Sequence, residues 1–173
     1  MQSKIQKIST NLWFDTQAEA AVNYYTSIFK NSKIGRITRY GKERHDPSEM
    51  EQGSVMTIQF SLEGLDFVAL NGGPHFKFTE AISFIVHCDS QEEIDYYWDK
   101  LSKDGDKSSQ VCGWLKDQFG VSWQIVPSIL PQLLNDPNLE KSERVMKAVL
   151  QTKTKINLNE LIKAYESDSP SSN

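Results

Sequence analysis

Cysteine is scarce in this 173-residue chain: Cys88 and Cys112 are the two, and they have no C-x-x-C spacing. That excludes a disulfide framework and a finger-type zinc site, and both residues read as reduced, partly buried thiols. A basic surplus is missing too. Nineteen Lys and Arg stand against 23 Asp and Glu, a net charge of −4, so nothing gathers a phosphate backbone and no nucleic-acid partner is expected. No stretch approaches the roughly 20 apolar residues of a membrane span, and residues 1–7 have neither the apolar run nor the cleavage site of a secretory leader. These features read as a cytoplasmic protein with no membrane partner. Nine glycines occur, none in a G-x-G arrangement, so the glycine-rich strand-to-helix turn that usually holds a methyl donor such as S-adenosylmethionine is not written here.

What is there suffices for a packed core, with 38% hydrophobic and 10% aromatic residues. The length fits one domain, placed at residues 1–166. The tail 167–173 carries no apolar anchor and reads as disordered.

Inside that domain the chain repeats itself. Ser9-Thr10-Asn11-Leu12-Trp13-Phe14-Asp15 and Ser83-Phe84-Ile85-Val86-His87-Cys88-Asp89 are strand-like runs that open with Ser and close with Asp, 74 residues apart. A helical spacing follows each: Ala21, Val22, Tyr25, Ile28 and Phe29 in the first copy, Ile94, Tyr97, Trp98 and Leu101 in the second. Further on, residues 60–70 and 116–126 each read as two strands joined by a tight turn, with Gly64 and Gly120 separated by 56 residues. The shorter offset places the loss in the charged excursion Lys42-Glu43-Arg44-His45-Asp46-Pro47, which the second copy lacks. Each copy is therefore β-α-β-β-β, module 1 over about 5–74 and module 2 over about 78–127. Beyond Pro127 the pattern turns helical to about residue 166, around Ile129, Leu133 and Leu134, then Val145, Met146, Val149 and Leu150, then Leu158, Leu161, Ile162 and Tyr165. Asn157 or Asn159 would cap the last helix.

Strand alternation assigns the faces. Ile8, Thr10, Leu12 and Phe14 share one side and Ser9, Asn11 and Trp13 the other, while Phe84 and Val86 oppose Ser83, Ile85 and His87. Met56, Ile58 and Phe60 oppose Thr57 and Gln59, and Val121, Trp123 and Ile125 oppose Ser122, Gln124 and Val126. The apolar sets belong under the helices. The mixed polar and aromatic sets suit a ligand-sized hollow, a solvent face or a subunit contact.

Paired β-α-β-β-β modules resemble the vicinal oxygen chelate, or glyoxalase/bleomycin-resistance, superfamily. More narrowly, Leu12-Trp13-Phe14-Asp15, Asn71-Gly72-Gly73-Pro74, Cys88-Asp89-Ser90-Gln91-Glu92-Glu93 and the run from Cys112 to Pro127 are similar to its PhnB-like branch, whose members often carry the name 3-demethylubiquinone-9 3-methyltransferase. The resemblance implies an α+β fold in which the two modules form a curved, cup-shaped mixed sheet, here with extra C-terminal helices. It also implies a homodimer that exchanges modules in some members.

Metal-using members place ligands at four positions, which fall here on Ser9, Val68, Ser83 and Gln124. None is a His or a carboxylate, so no metal and no other cofactor is expected. Of the histidines, His45 lies in the charged excursion, His75 in the Gly-Gly-Pro loop, and His87 on the hollow's face. Cys112, near Trp114 and Lys116, reads as a packed strand residue.

The leading expectation is a metal-independent protein binding a small organic ligand. Trp13, Ile85 and Trp114 would form its apolar surface, and Asn11, Gln59, Ser83, His87 and Gln124 its polar contacts. Alternatives are an enzyme of the superfamily, a lyase, isomerase or dioxygenase with His87 as base and a relocated metal or none; the methyltransferase of the family name; and a structural role for a dimer whose C-terminal helices cover the partner.

Overall fold

A computed structural model describes residues 7–42 and 50–167. The excursion's Glu43, Arg44, His45, Asp46 and Pro47 and the tail beyond Ser167 lie outside the described residues. The chain divides into two compact units, residues 1–78 and 79–173.

In the first unit the order is β1 (Thr10–Phe14), α1 (Ala18–Ile28), β2 (Ser32–Arg39), β3 (Val55–Leu62) and β4 (Leu65–Asn71). The sheet runs β1-β4-β3-β2, with β1 parallel to β4 and the other pairs antiparallel. Apolar side chains at every second strand position give the sheet one dry face, and the 3.6-residue period gives α1 a matching stripe. Ala18, Ala21, Val22, Tyr25 and Ile28 of the helix are buried, as are Leu12, Phe14, Ile58, Phe60, Phe67 and Ala69 of the strands. Asn71 closes this core at the start of α1. It is 5% exposed, its Oδ1 accepts from the Ala18 amide at 2.8 Å, and its Nδ2 donates to the Val55 carbonyl at 3.0 Å.

The second unit repeats this plan with β5 (Phe84–Cys88), α2 (Gln91–Leu101), β6 (Asp106–Val111), β7 (Trp114–Lys116) and β8 (Ser122–Pro127), in sheet order β5-β8-β7-β6. Its register reproduces the first: Thr10 pairs with Phe67 and Phe84 with Trp123, the positions that the 74- and 56-residue offsets relate. Ser90 caps α2, its Oγ accepting from the Glu93 amide at 3.2 Å. Three further helices follow, α3 (Leu130–Leu134), α4 (Leu139–Gln151) and α5 (Leu158–Glu166). They enclose a small core of Leu130, Leu133, Val145, Ile156 and Leu161. Asn157 caps α5, its Oδ1 accepting from the Glu160 amide at 3.1 Å.

Two local readings are corrected. Glu63 and Gly64 do form a tight two-residue turn between β3 and β4, with φ of +46° and +82°, the left-handed pair that matches strand twist. The counterpart between β7 and β8 is instead a five-residue loop, 117–121, because Asp117 gathers it inward. The Oδ1 of Asp117 accepts from the amides of Phe119 (2.8 Å) and Val121 (3.0 Å), and its Oδ2 from Trp123 Nε1 (2.9 Å). The tight turn of this unit falls one connection earlier, at Cys112 and Gly113 (φ +52° and +81°), so Cys112 is a turn residue and not part of a strand.

Candidate functional site

The face of each sheet turned away from its core-facing side holds the polar and aromatic residues singled out above, and each unit is described by itself. In the first, register aligns Asn11 of β1, Val68 of β4 and Gln59 of β3 in one row across three strands. Asn11 and Gln59 are exposed. The neighbouring row is Trp13, Leu70, Thr57 and Thr38, its two threonine hydroxyls 2.6 Å apart.

Trp13 is not an open indole. Its Nε1 donates to the Gly73 carbonyl at 2.9 Å, and the Phe76 ring meets it edge-on at 4.9 Å. The clasp depends on Gly72, where a Cβ would stand 2.2 Å from Trp13 Cζ2. Amides of Gly72 and Gly73 donate to the carbonyls of Phe14 and Asp15, so the β1–β4 pairing runs on into this segment. Trp13 therefore offers a ligand part of an apolar ring and no hydrogen-bond donor.

In the second unit the corresponding row is Ile85, Gln124 and Trp114. Gln124 Nε2 donates to Ser83 Oγ at 2.9 Å, which fixes the amide along the row and leaves its Oε1 as acceptor. Ile85 is 51% exposed, a large apolar side chain on an open sheet face. His87, two positions along β5 on the same side and paired in register with Val126, is exposed. One more hydroxyl belongs to this side: that of Ser122, level with Lys116 on β7, its buried Oγ without a hydrogen-bond partner among the described residues. Lys116 itself forms an ion pair with Glu80, and that bond holds the Glu80 carboxyl below its usual range.

The eight candidate residues thus form two groups, one per unit: Asn11, Trp13 and Gln59, and Ser83, Ile85, His87, Trp114 and Gln124. Sequence reading overlooked Asn71 and Asp117, the buried side chains that shape the two sheets' ends. Asp117 stands between Lys116 and Gln118, a polar run that reads as an ordinary turn and carried no signal of its burial.

The matched metal positions carry a poor donor set. Ser9 is exposed just before β1, Val68 is aliphatic, and Ser83 and Gln124 bond each other. Hydroxyl, alkyl and amide groups hold divalent transition ions weakly, so these residues do not fit the metal. Among the described residues no group of three or more His, Cys, Asp or Glu side chains is placed to hold one. A methyl donor of the S-adenosylmethionine type fares no better. Both strand-to-helix turns, 15–17 and 89–90, lack glycine, and side chains of Asn71 and Ser90 already take amides at the helix starts. No helix among the described residues is long and apolar enough to cross a membrane.

Comparison with known proteins comes to the same architecture. A family model described as 3-demethylubiquinone-9 3-methyltransferase matches residues 6–126, leaving α3–α5 outside the match. Among solved structures, the PhnB protein from Bacillus cereus is 37% identical, with 70% of this chain and 99% of that one covered and a TM-score of 0.60. A protein from Pseudomonas aeruginosa shares the fold at 16% identity, covering 70% of this chain and 97% of its own, with a TM-score of 0.58. No protein of curated function matches. By the extent of the matched model and the likeness to the Bacillus cereus protein, the chain belongs to the PhnB-like family described as 3-demethylubiquinone-9 3-methyltransferase.

Proposed function

We propose that the protein binds a small organic molecule on the mixed faces of its sheets and does so without a metal. The supporting observation is the row Ile85, Gln124 and Trp114, in which an amide pinned by Ser83 stands between an exposed alkyl side chain and an indole. A surface of this kind suits a flat, mostly apolar ligand that carries one hydrogen-bond donor, placed against the ring and the alkyl group with its donor on Gln124 Oε1. Asn11 and Gln59 provide the equivalent amides in the first unit, beside Val68 and not beside an exposed aromatic.

A thermal-shift screen of hydroxylated and amino-substituted aromatic compounds tests this, since a ligand that binds only the folded state raises the melting temperature with concentration. Compounds that stabilise the wild-type chain should lose the effect in Trp114→Ala and Gln124→Ala. Binding that survives both substitutions, or a screen without hits, overturns the reading. Binding that appears only after a divalent ion is added overturns its metal-free part.

A further inference from the structure

Two residues along the strands from the row Ile85, Gln124 and Trp114 lies a second row on the same side of the second unit's sheet, since positions two apart on a strand share a face. Ser122 of β8 pairs in register with Lys116 of β7, and Ser83 falls level with them because the next residue, Phe84, pairs with Trp123. This row is made of hydrogen-bond donors. Lys116 carries an ammonium. Ser83 Oγ accepts from Gln124 Nε2, which leaves its own proton to give. The Ser122 hydroxyl belongs to a residue 2% exposed and has no partner among the described residues. A buried hydroxyl left in that state costs free energy that a bound acceptor would restore.

The negative charge on this row comes from outside the sheet. Glu80, in the irregular segment before β5, forms the ion pair with Lys116, and its side chain is 61% exposed. Asp106, level with Lys116 on β6, gives its Oδ1 to the amide and the hydroxyl of Ser108, at 2.8 and 2.6 Å. The ammonium is thus left to Glu80. An ion pair this open contributes little to stability, and it satisfies the ammonium without reaching the Ser122 hydroxyl.

We infer that Glu80 stands in for the acid group of the ligand: the molecule held by this face is a flat aromatic acid whose carboxylate displaces Glu80 from Lys116 and accepts from Ser122. The inference rests on the reading of the face given above and adds the ligand's chemical class. The two rows are about 6.8 Å apart, two residues at about 3.4 Å each, which one benzene ring with substituents in para positions can span. An amine or hydroxyl at one end then donates to Gln124 Oε1 while the ring lies against Trp114 and Ile85. The carboxylate at the other end takes the charge-assisted bond from Lys116. Two carboxylates compete for one ammonium, so removing the charge of Glu80 opens the site and does not weaken it.

Calorimetric titration of the full chain with 4-aminobenzoate and with its neutral analogue 4-aminobenzamide tests this. The acid should bind more tightly by a factor of about ten, the worth of a hydrogen bond to a charged group. Glu80→Gln, at an exposed side chain in an irregular segment, should tighten the acid about threefold, the range of an open ion pair, and leave the amide unchanged. Lys116→Met should erase the preference for the acid. Ser122→Ala should weaken the acid alone, with a melting temperature unchanged or raised because its hydroxyl has no partner to lose. Equal binding of acid and amide, still abolished by Trp114→Ala, overturns the acid class and keeps the binding face. Acid binding that Glu80→Gln weakens or leaves as it was overturns the displacement. Binding of neither compound overturns this inference together with the reading of the face.

Discussion

Single side chains decide how the sheet faces are held. Gly72 is required because its α-carbon lies against the Trp13 indole, so Gly72→Ala should cost about 1–3 kcal/mol in urea unfolding, the range for overfilling a packed site. The clasp on Trp13 should loosen with it, visible as a change in tryptophan fluorescence. Asp117 is 3% exposed and accepts three hydrogen bonds inside the β7–β8 loop. Asp117→Ala leaves those donors buried and unmet and should cost about 3 kcal/mol or more. Burial pushes the Cys88 thiol up to about 12 from its ordinary 9.0, with Glu93 and Asp89 adding to the shift. In the unfolded chain the thiol ionises near 9.0 while the folded chain keeps its proton, so the unfolded state binds fewer protons and stability falls as pH climbs from 9 towards 12. Near neutral pH a thiol reagent should accordingly find Cys112 alone in the native protein and both cysteines in denaturant, and rapid labelling of Cys88 in the native state would contradict its burial.

Elements were the part of this molecule most legible in the amino-acid order. Period two in β1, β3, β5 and β8 and period 3.6 in α1, α2 and α5 each express a local rule, and the structure follows them because the apolar faces leave one way to pack, whereas of the α4 set Val145 is buried and Met146 and Leu150 are exposed. The second hairpin escaped that reading. Asp117 and Gly120 look like turn residues of any kind, whereas the loop's width is set by a carboxylate reaching Trp123, a contact that strand periodicity does not encode. The same holds for Gly72, whose constraint comes from Trp13 across the sheet. Which side chains of the candidate rows stand level was readable only in outline, since register depends on pairing between distant strands. At this scale the caps are the place to test. Asn157→Ala removes the acceptor for the Glu160 amide, and Asn138→Ala the one for Lys141. Each should lower stability by about 1 kcal/mol, read from the urea midpoint at constant slope.

The whole molecule is organised as a repeated plan with a helical addition. Between the compact units, residues 74–82 are largely exposed and belong to no helix or strand, so limited trypsin digestion should cut first after Lys77, checked by mass spectrometry. Early cleavage within β8 or α4 would contradict that division. The C-terminal helices are bound into the second unit by the β6–β7 turn. Cys112 and Gly113 amides donate to the carbonyls of Thr152 and Thr154, and the Gly113 carbonyl accepts from Ile125. Ile125 directly follows Gln124 on β8. A strut of peptide groups thus connects the α4–α5 linker to the backbone that carries the amide of the candidate row, and steadying that amide would be felt in the linker as slower proton exchange. Hydrogen exchange of residues 152–155 with and without a ligand that stabilises the chain checks that coupling.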